Sequence, residues 1–200
     1  KTITTNGKAL ASAIIFNGNG GSWQLQDALA TTGAVTLTNG TLDTKSQSVS
    51  SLTFATAAGT KTLSLGSTTW TLTGNAATIW SWSVTTATMI GGGATIAPNY
   101  SGATGTRTIT MGLDINNPSL SITAGTDIVL ISAAYLKNLN FTGFAGTFSA
   151  TSGALSIYGN LTLAAGMTNS YTAALTFAAT PSKSVTAQEA TPYGVTFSSD

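Results

Sequence analysis

Gly59-Thr-Lys-Thr-Leu-Ser-Leu-Gly66 is a strand-length run closed by glycine at both ends. Inside it, residues 61, 63 and 65 alternate with Thr60, Thr62 and Ser64. In a β-strand that alternation sends one set of side chains to a core and leaves a hydroxyl row facing water. The same run returns 46 residues later as Gly105-Thr-Arg-Thr-Ile-Thr-Met-Gly112, with every change conservative. A strand that repeats in this way points to a repetitive all-β architecture.

The rest of the chain has the same character. Val35-Thr-Leu37, Leu52-Thr-Phe54, Ile109-Thr-Met111, Leu120-Ser-Ile122, Leu155-Ser-Ile157, Leu161-Thr-Leu163 and Leu175-Thr-Phe177 all alternate with period two. Threonine on the outer row is β-branched and suits the pleat. Asn17-Gly-Asn-Gly-Gly21, Asn39-Gly40, Gly91-Gly-Gly93 and Asn116-Asn-Pro118 punctuate the runs as turns. The best helical stretch, residues 9–15, is short and uncapped. Further echoes appear: Ser22-Trp-Gln-Leu25 matches Thr69-Trp-Thr-Leu72, 47 residues on, and Gly33-Ala-Val-Thr-Leu37 matches Gly153-Ala-Leu-Ser-Ile157. A unit of 46–47 residues spans roughly two coils of a β-helix. Each coil would bury its inward row only by stacking on its neighbours. The pattern predicts an all-β fold, a parallel β-solenoid with short Thr/Gly-rich rungs and room for antiparallel excursions. A β-sandwich array is the alternative. Residues 1–200 read as a single solenoid segment. The absence of an initial Met and the ending Phe197-Ser-Ser-Asp200 predict a piece of a longer chain.

Several segments resemble the repeats of phage tail fibres, tail spikes and bacterial surface adhesins. They are Gly21-Ser-Trp-Gln-Leu-Gln-Asp27, Leu37-Thr-Asn-Gly-Thr-Leu-Asp43, Gly66-Ser-Thr-Thr-Trp-Thr-Leu-Thr-Gly74 and Gly159-Asn-Leu-Thr-Leu163. The likeness is strongest over residues 18–112. The resemblance implies a long, stable, non-catalytic appendage, often trimeric, and it carries over no active-site residues.

Composition narrows the function classes. Charged residues make up 6% of the chain, against about 25% in ordinary soluble domains. Net charge is +1, yet 42% of the residues are hydrophobic, so the chain has enough apolar surface to order itself. Its surface is expected to carry hydroxyls and amides in place of ions. The seven Lys and Arg are scattered, which gives no basic patch for nucleic acid. No apolar run approaches the roughly 18 residues of a membrane-spanning helix. There are no cysteines and no histidines. That removes disulfides, thiolate nucleophiles, the Ser-His-Asp triad and the commonest metal ligand.

The carboxylates are Asp27, Asp43, Asp114, Asp127, Glu189 and Asp200, none adjacent in sequence. Asp114 and Asp127 sit 13 residues apart and could meet across adjacent coils, as the clustered carboxylates of a β-helix polysaccharide-degrading enzyme would. Solvated turn residues are the simpler reading of both. Asn17–Gly21 and Gly91–Gly93 have glycines without the Asp spacing of repeat calcium sites. No catalytic residue, metal site or cofactor is therefore assigned. Trp80-Ser-Trp82 places two indoles on one strand face. With Tyr100, these tryptophans are the residues for a glycan contact; the competing reading places them in the core. The expectation is a structural component of a virion or extracellular appendage, a fibre, spike shaft or capsid decoration. Its partners would be copies of itself as a trimer, other appendage proteins, or a cell-surface glycan. A bacterial secreted adhesin or surface-layer protein is one alternative, and a carbohydrate-binding module or β-helix polysaccharide-degrading enzyme is another.

Overall fold

The computed structural model describes residues 1–82, 85–102, 105–113, 116–132, 134–149, 153–178 and the strand 185–187. Among them there is no helix, and every strand pairing is parallel. Parallel neighbours must be joined by a crossover, here one circuit of the coil. The chain is a β-solenoid of about eight turns. The parallel register excludes a sandwich, whose sheets are antiparallel. The expected antiparallel excursions are absent from the described strands. The 9–15 stretch is not helical either; Leu10 bridges Thr31, and Ile14 begins a strand.

A full coil contributes a strand to each of three stacks. In one coil these are Phe54–Thr56, Lys61–Ser64 and Thr69–Leu72; in the next they are Thr78–Ser81, Ala87–Ile90 and Thr95–Pro98. The third stack is the most regular. Its inward column runs Leu29, Val49, Trp70, Ile96, Leu120, Leu139 and Leu161, each in register with the next and all buried. The second stack is interrupted in the fifth coil, where only the bridge Gly112–Ala134 continues it before Ala134–Leu136.

Alternation explains the core. In Lys61–Ser64 and Thr106–Thr110 every second residue is buried. The outward columns are short and polar. Ser22, Thr41, Thr62 and Thr88 stack in one, and Thr69, Thr95 and Ser119 in another. Amides join rungs along the columns: Asn138 Nδ2 donates to Ser119 Oγ at 2.8 Å, and Asn39 Nδ2 donates to Asn17 Oδ1 at 2.7 Å.

The coil length varies. The circuit that brings Val35 onto Phe54 is short, whereas the one that brings Trp80 onto Ile109 is much longer. The echoed runs therefore do not stack on one another. Lys61–Ser64 belongs to the second stack and Thr106–Thr110 to the first; Trp23 belongs to the second and Trp70 to the third. What recurs is a strand that fits any stack, since each stack asks only for an apolar inward row.

Candidate functional site

The aromatic residues fall into the core first. Trp80 is 0% exposed and Trp82 2%. Phe54 lies against Trp80 with ring centroids 4.3 Å apart, and Trp70 meets Trp80 edge-on at 5.4 Å. Phe54 also stacks on Trp82 at 6.4 Å. Both indoles point inward because Ser81 between them takes the outward position. Neither offers a face to a sugar, so the glycan contact expected of Trp80 and Trp82 gives way to a packing role. Tyr100 is exposed, in the turn after Thr95–Pro98, with its hydroxyl beside Gly102. The three rings do not form one platform.

The carboxylates do not gather into a pair either. Asp114, Glu189 and Asp200 lie outside the described residues. Asp127 is buried and engaged with Arg107. Arg107 Nε donates to Asp127 Oδ2 at 2.5 Å, and Nη2 donates to Asp127 Oδ1 at 2.8 Å and to the Ala124 carbonyl at 3.1 Å. Their side chains are 1% and 0% exposed. This two-pronged contact is the strong form of an ion pair. It consumes the carboxylate that the sequence offered for acid–base work. Asp27 is a structural acceptor. The backbone N–H groups of Thr5 and Gly7 donate to it, at 2.8 and 3.4 Å. These donors, Thr5 first, hold its carboxyl below the usual range against the opposing effect of burial.

Lys61 is the feature that sequence reasoning passed over. It sits at the third position of the opening run, as Arg107 does in its echo. Both share the parity of the inward apolar residues, and both are buried, Lys61 at 2% exposure. The signal was in the alternation: 61 goes with Leu63 and Leu65, 107 with Ile109 and Met111. Counting charges as a scattered set hid it. Burial lowers the Lys61 pKa from its usual value.

Lys61 lines a cleft of about 320 Å³ with Asn19, Ser22, Thr41, Thr60 and Thr62. The cleft exists because the strand Ile14–Leu25 slips in register. Asn17 pairs with Asn39 but Ser22 pairs with Thr41, which leaves residues 18–21 as an extra loop over the sheet. Gly40 is essential to this geometry. Its φ is +86°, and a Cβ there would come within 2.5 Å of the Gly18 and Gly21 carbonyl oxygens. The loop thus rests directly on backbone. On its other side, a Cβ at Gly18 would meet the Trp23 ring at 2.9 Å. Beneath the cleft, the Lys61 N–H donates to the Thr86 carbonyl at 3.0 Å. Thr86 is held at φ 53°, a strained value for a β-branched residue.

No protein family, curated protein or solved structure matches this chain.

Proposed function

We propose that the chain is a structural segment of an appendage, a stiff rod exposed on a virion or at a cell surface. The observation that carries this reading is the unbroken inward column of the third stack from Leu29 to Leu161, paired rung by rung. A solenoid coil contacts only its neighbours, so its stiffness depends on continuity of that column. At about 4.8 Å per rung, eight turns make a rod on the order of 40 Å long. Its outward columns of Ser, Thr and Asn are neutral, which permits close lateral packing without self-repulsion. On this reading its partners are copies of itself, as a trimer, or other appendage proteins, and the neutral surface supports the reading by opposing such packing with little charge repulsion.

Light scattering coupled to size exclusion, with electron microscopy of the same fractions, tests the reading. A species of about three times 20.1 kDa, seen as rods, supports a trimeric shaft. A monomer at every concentration, with rods that never associate side by side or end to end, refutes the assembly role.

A further inference from the structure

One outward hydroxyl column of the second stack is left unspent by the fold. Ser22, Thr41 and Thr62 stand in register on successive rungs, about 4.8 Å apart. Thr60 lies just before the strand Lys61–Ser64. Elsewhere the solenoid uses such groups on itself. Asn138 and Asn140 donate to Ser119 and Ser121 one rung away, and Thr44, Thr68 and Thr73 donate to backbone carbonyls. Among the described residues, the hydroxyls of Ser22, Thr41, Thr60 and Thr62 and the amide of Asn19 bond to no protein group.

These five side chains line the cleft of about 320 Å³ beside the loop 18–21. The loop is held in place by its own contacts. At its root Asn39 Nδ2 donates to Asn17 Oδ1 at 2.7 Å. A Cβ at Gly21 would lie 3.0 Å from the Gly18 carbonyl oxygen, so the loop folds tightly on itself. A cleft held open by backbone needs little ordering to take a ligand.

The lining selects the ligand. No carboxylate lines the cleft, and Lys61 stands on the inward row at 2% exposure, so its charge is withheld from the outer face. An ion therefore finds no counter-charge there. No aromatic or large aliphatic side chain lines it either, so an apolar molecule would bury little against it. What the walls offer is hydroxyls and an amide, which both donate and accept. The matching molecule is neutral and carries groups of the same kind on several adjoining carbons. The volume stands at the lower end of small-molecule sites, about 300–1,000 Å³.

We propose that the cleft beside the loop 18–21 binds one neutral sugar ring, either free or as a unit of a saccharide chain. Ser22, Thr41 and Thr62 bond its hydroxyls rung by rung, Thr60 and Asn19 reach it from the sides, and the loop covers one edge.

Selective nitrogen-15 glycine labelling tests this, because the chain has 22 glycines and Gly20, Gly21 and Gly40 line the cleft. The probes are glucose, galactose, mannose and N-acetylglucosamine, with glycerol as the open-chain control and sodium glucuronate as the charged one. The three cleft signals should move saturably with at least one neutral sugar, while those of Gly105 and Gly143 stay. A few neutral hydrogen bonds put the dissociation constant on the order of 1 mM. Tighter binding of an oligosaccharide than of its monosaccharide assigns the site to a chain-borne unit; equal or weaker binding assigns it to the free sugar. Thr41→Val/Thr62→Val keeps the β-branched shape and removes two hydroxyls, and it should weaken binding about tenfold or more. Thr69→Val/Thr95→Val, on the outward row of the third stack, should leave binding unchanged. Melting midpoints equal to the parent's show that both fold; where the first pair melts lower, Ser22→Ala carries the test with a loss of about fivefold. The proposal is overturned if no neutral sugar moves the cleft signals saturably, if all glycines drift alike, or if glucuronate binds more tightly than every neutral sugar. It is also overturned if the folded Thr41→Val/Thr62→Val protein binds as the parent does.

Discussion

Replacing each buried cation by methionine should have opposite consequences. Arg107→Met keeps an apolar stem in the coil but removes the guanidinium. Asp127, with its side chain 0% exposed, is then left charged in the interior without its two-pronged donor. Breaking a buried pair on one side costs about 3–5 kcal/mol, most of it from the stranded charge. Lys61→Met strands no carboxylate among the described residues, where Lys61 has no ion-pair partner. It removes the desolvation of an ammonium and keeps an apolar stem against the strand. Its unfolding midpoint should equal or exceed that of the parent. Urea unfolding followed by tryptophan fluorescence reads both, with the slope checked for constancy so that midpoints convert to stability. The double variant Arg107→Met/Asp127→Leu should recover most of the loss, since an apolar pair of similar volume replaces the ions. Equal losses for Arg107→Met and Lys61→Met would refute the reasoning, as they would mean that the two cations share one environment.

Other perturbations test the scaffold. Leu120→Ala leaves a hole between Ile96 and Leu139 in the third stack and should cost about 2–5 kcal/mol by denaturation. Trp80→Ala should cost about 3–5 kcal/mol and lower the melting temperature, the reverse of what a surface sugar platform would do. Gly40→Ala should cost more than about 1–2 kcal/mol, the strain of a left-handed residue, because its Cβ also strikes two carbonyl oxygens. Gly92→Ala, with open space around it, should stay within about 0.5 kcal/mol. For Asp27 the folded pKa lies below the unfolded value. Its contribution is thus full above about pH 4–5 and is lost as pH falls toward the folded pKa. Acid titration of stability should flatten in that window for Asp27→Asn, and an unchanged profile would show that the Thr5 and Gly7 donors do not act through this carboxylate.

The period-two pattern made the strands legible and even placed Trp80 and Trp82 on one face. It did not say which face, because the deciding contacts with Phe54 and Trp70 come from other coils. The repeat length misled for a related reason. Turns in a solenoid are free to lengthen while the inward row stays in step, so Val35 reaches Phe54 by a short circuit and Trp80 reaches Ile109 by a much longer one. Sequence echoes then mark similar strands in different stacks.

The same freedom separates Lys61 from Arg107. Their burial was readable from parity, since each shares the side of its apolar neighbours two positions on. Their different fates were not. Lys61 meets Ala87 and Arg107 meets Val129 by circuits of unequal length. Which residue precedes that partner by two positions, Thr85 or Asp127, depends on the length of every intervening turn. A pairing that closes only through the coil count cannot be taken from local pattern. The cleft is hidden from local pattern for the same reason, because Asn19, Gly20 and Gly21, which line it, belong to a register slip between Asn17 and Ser22.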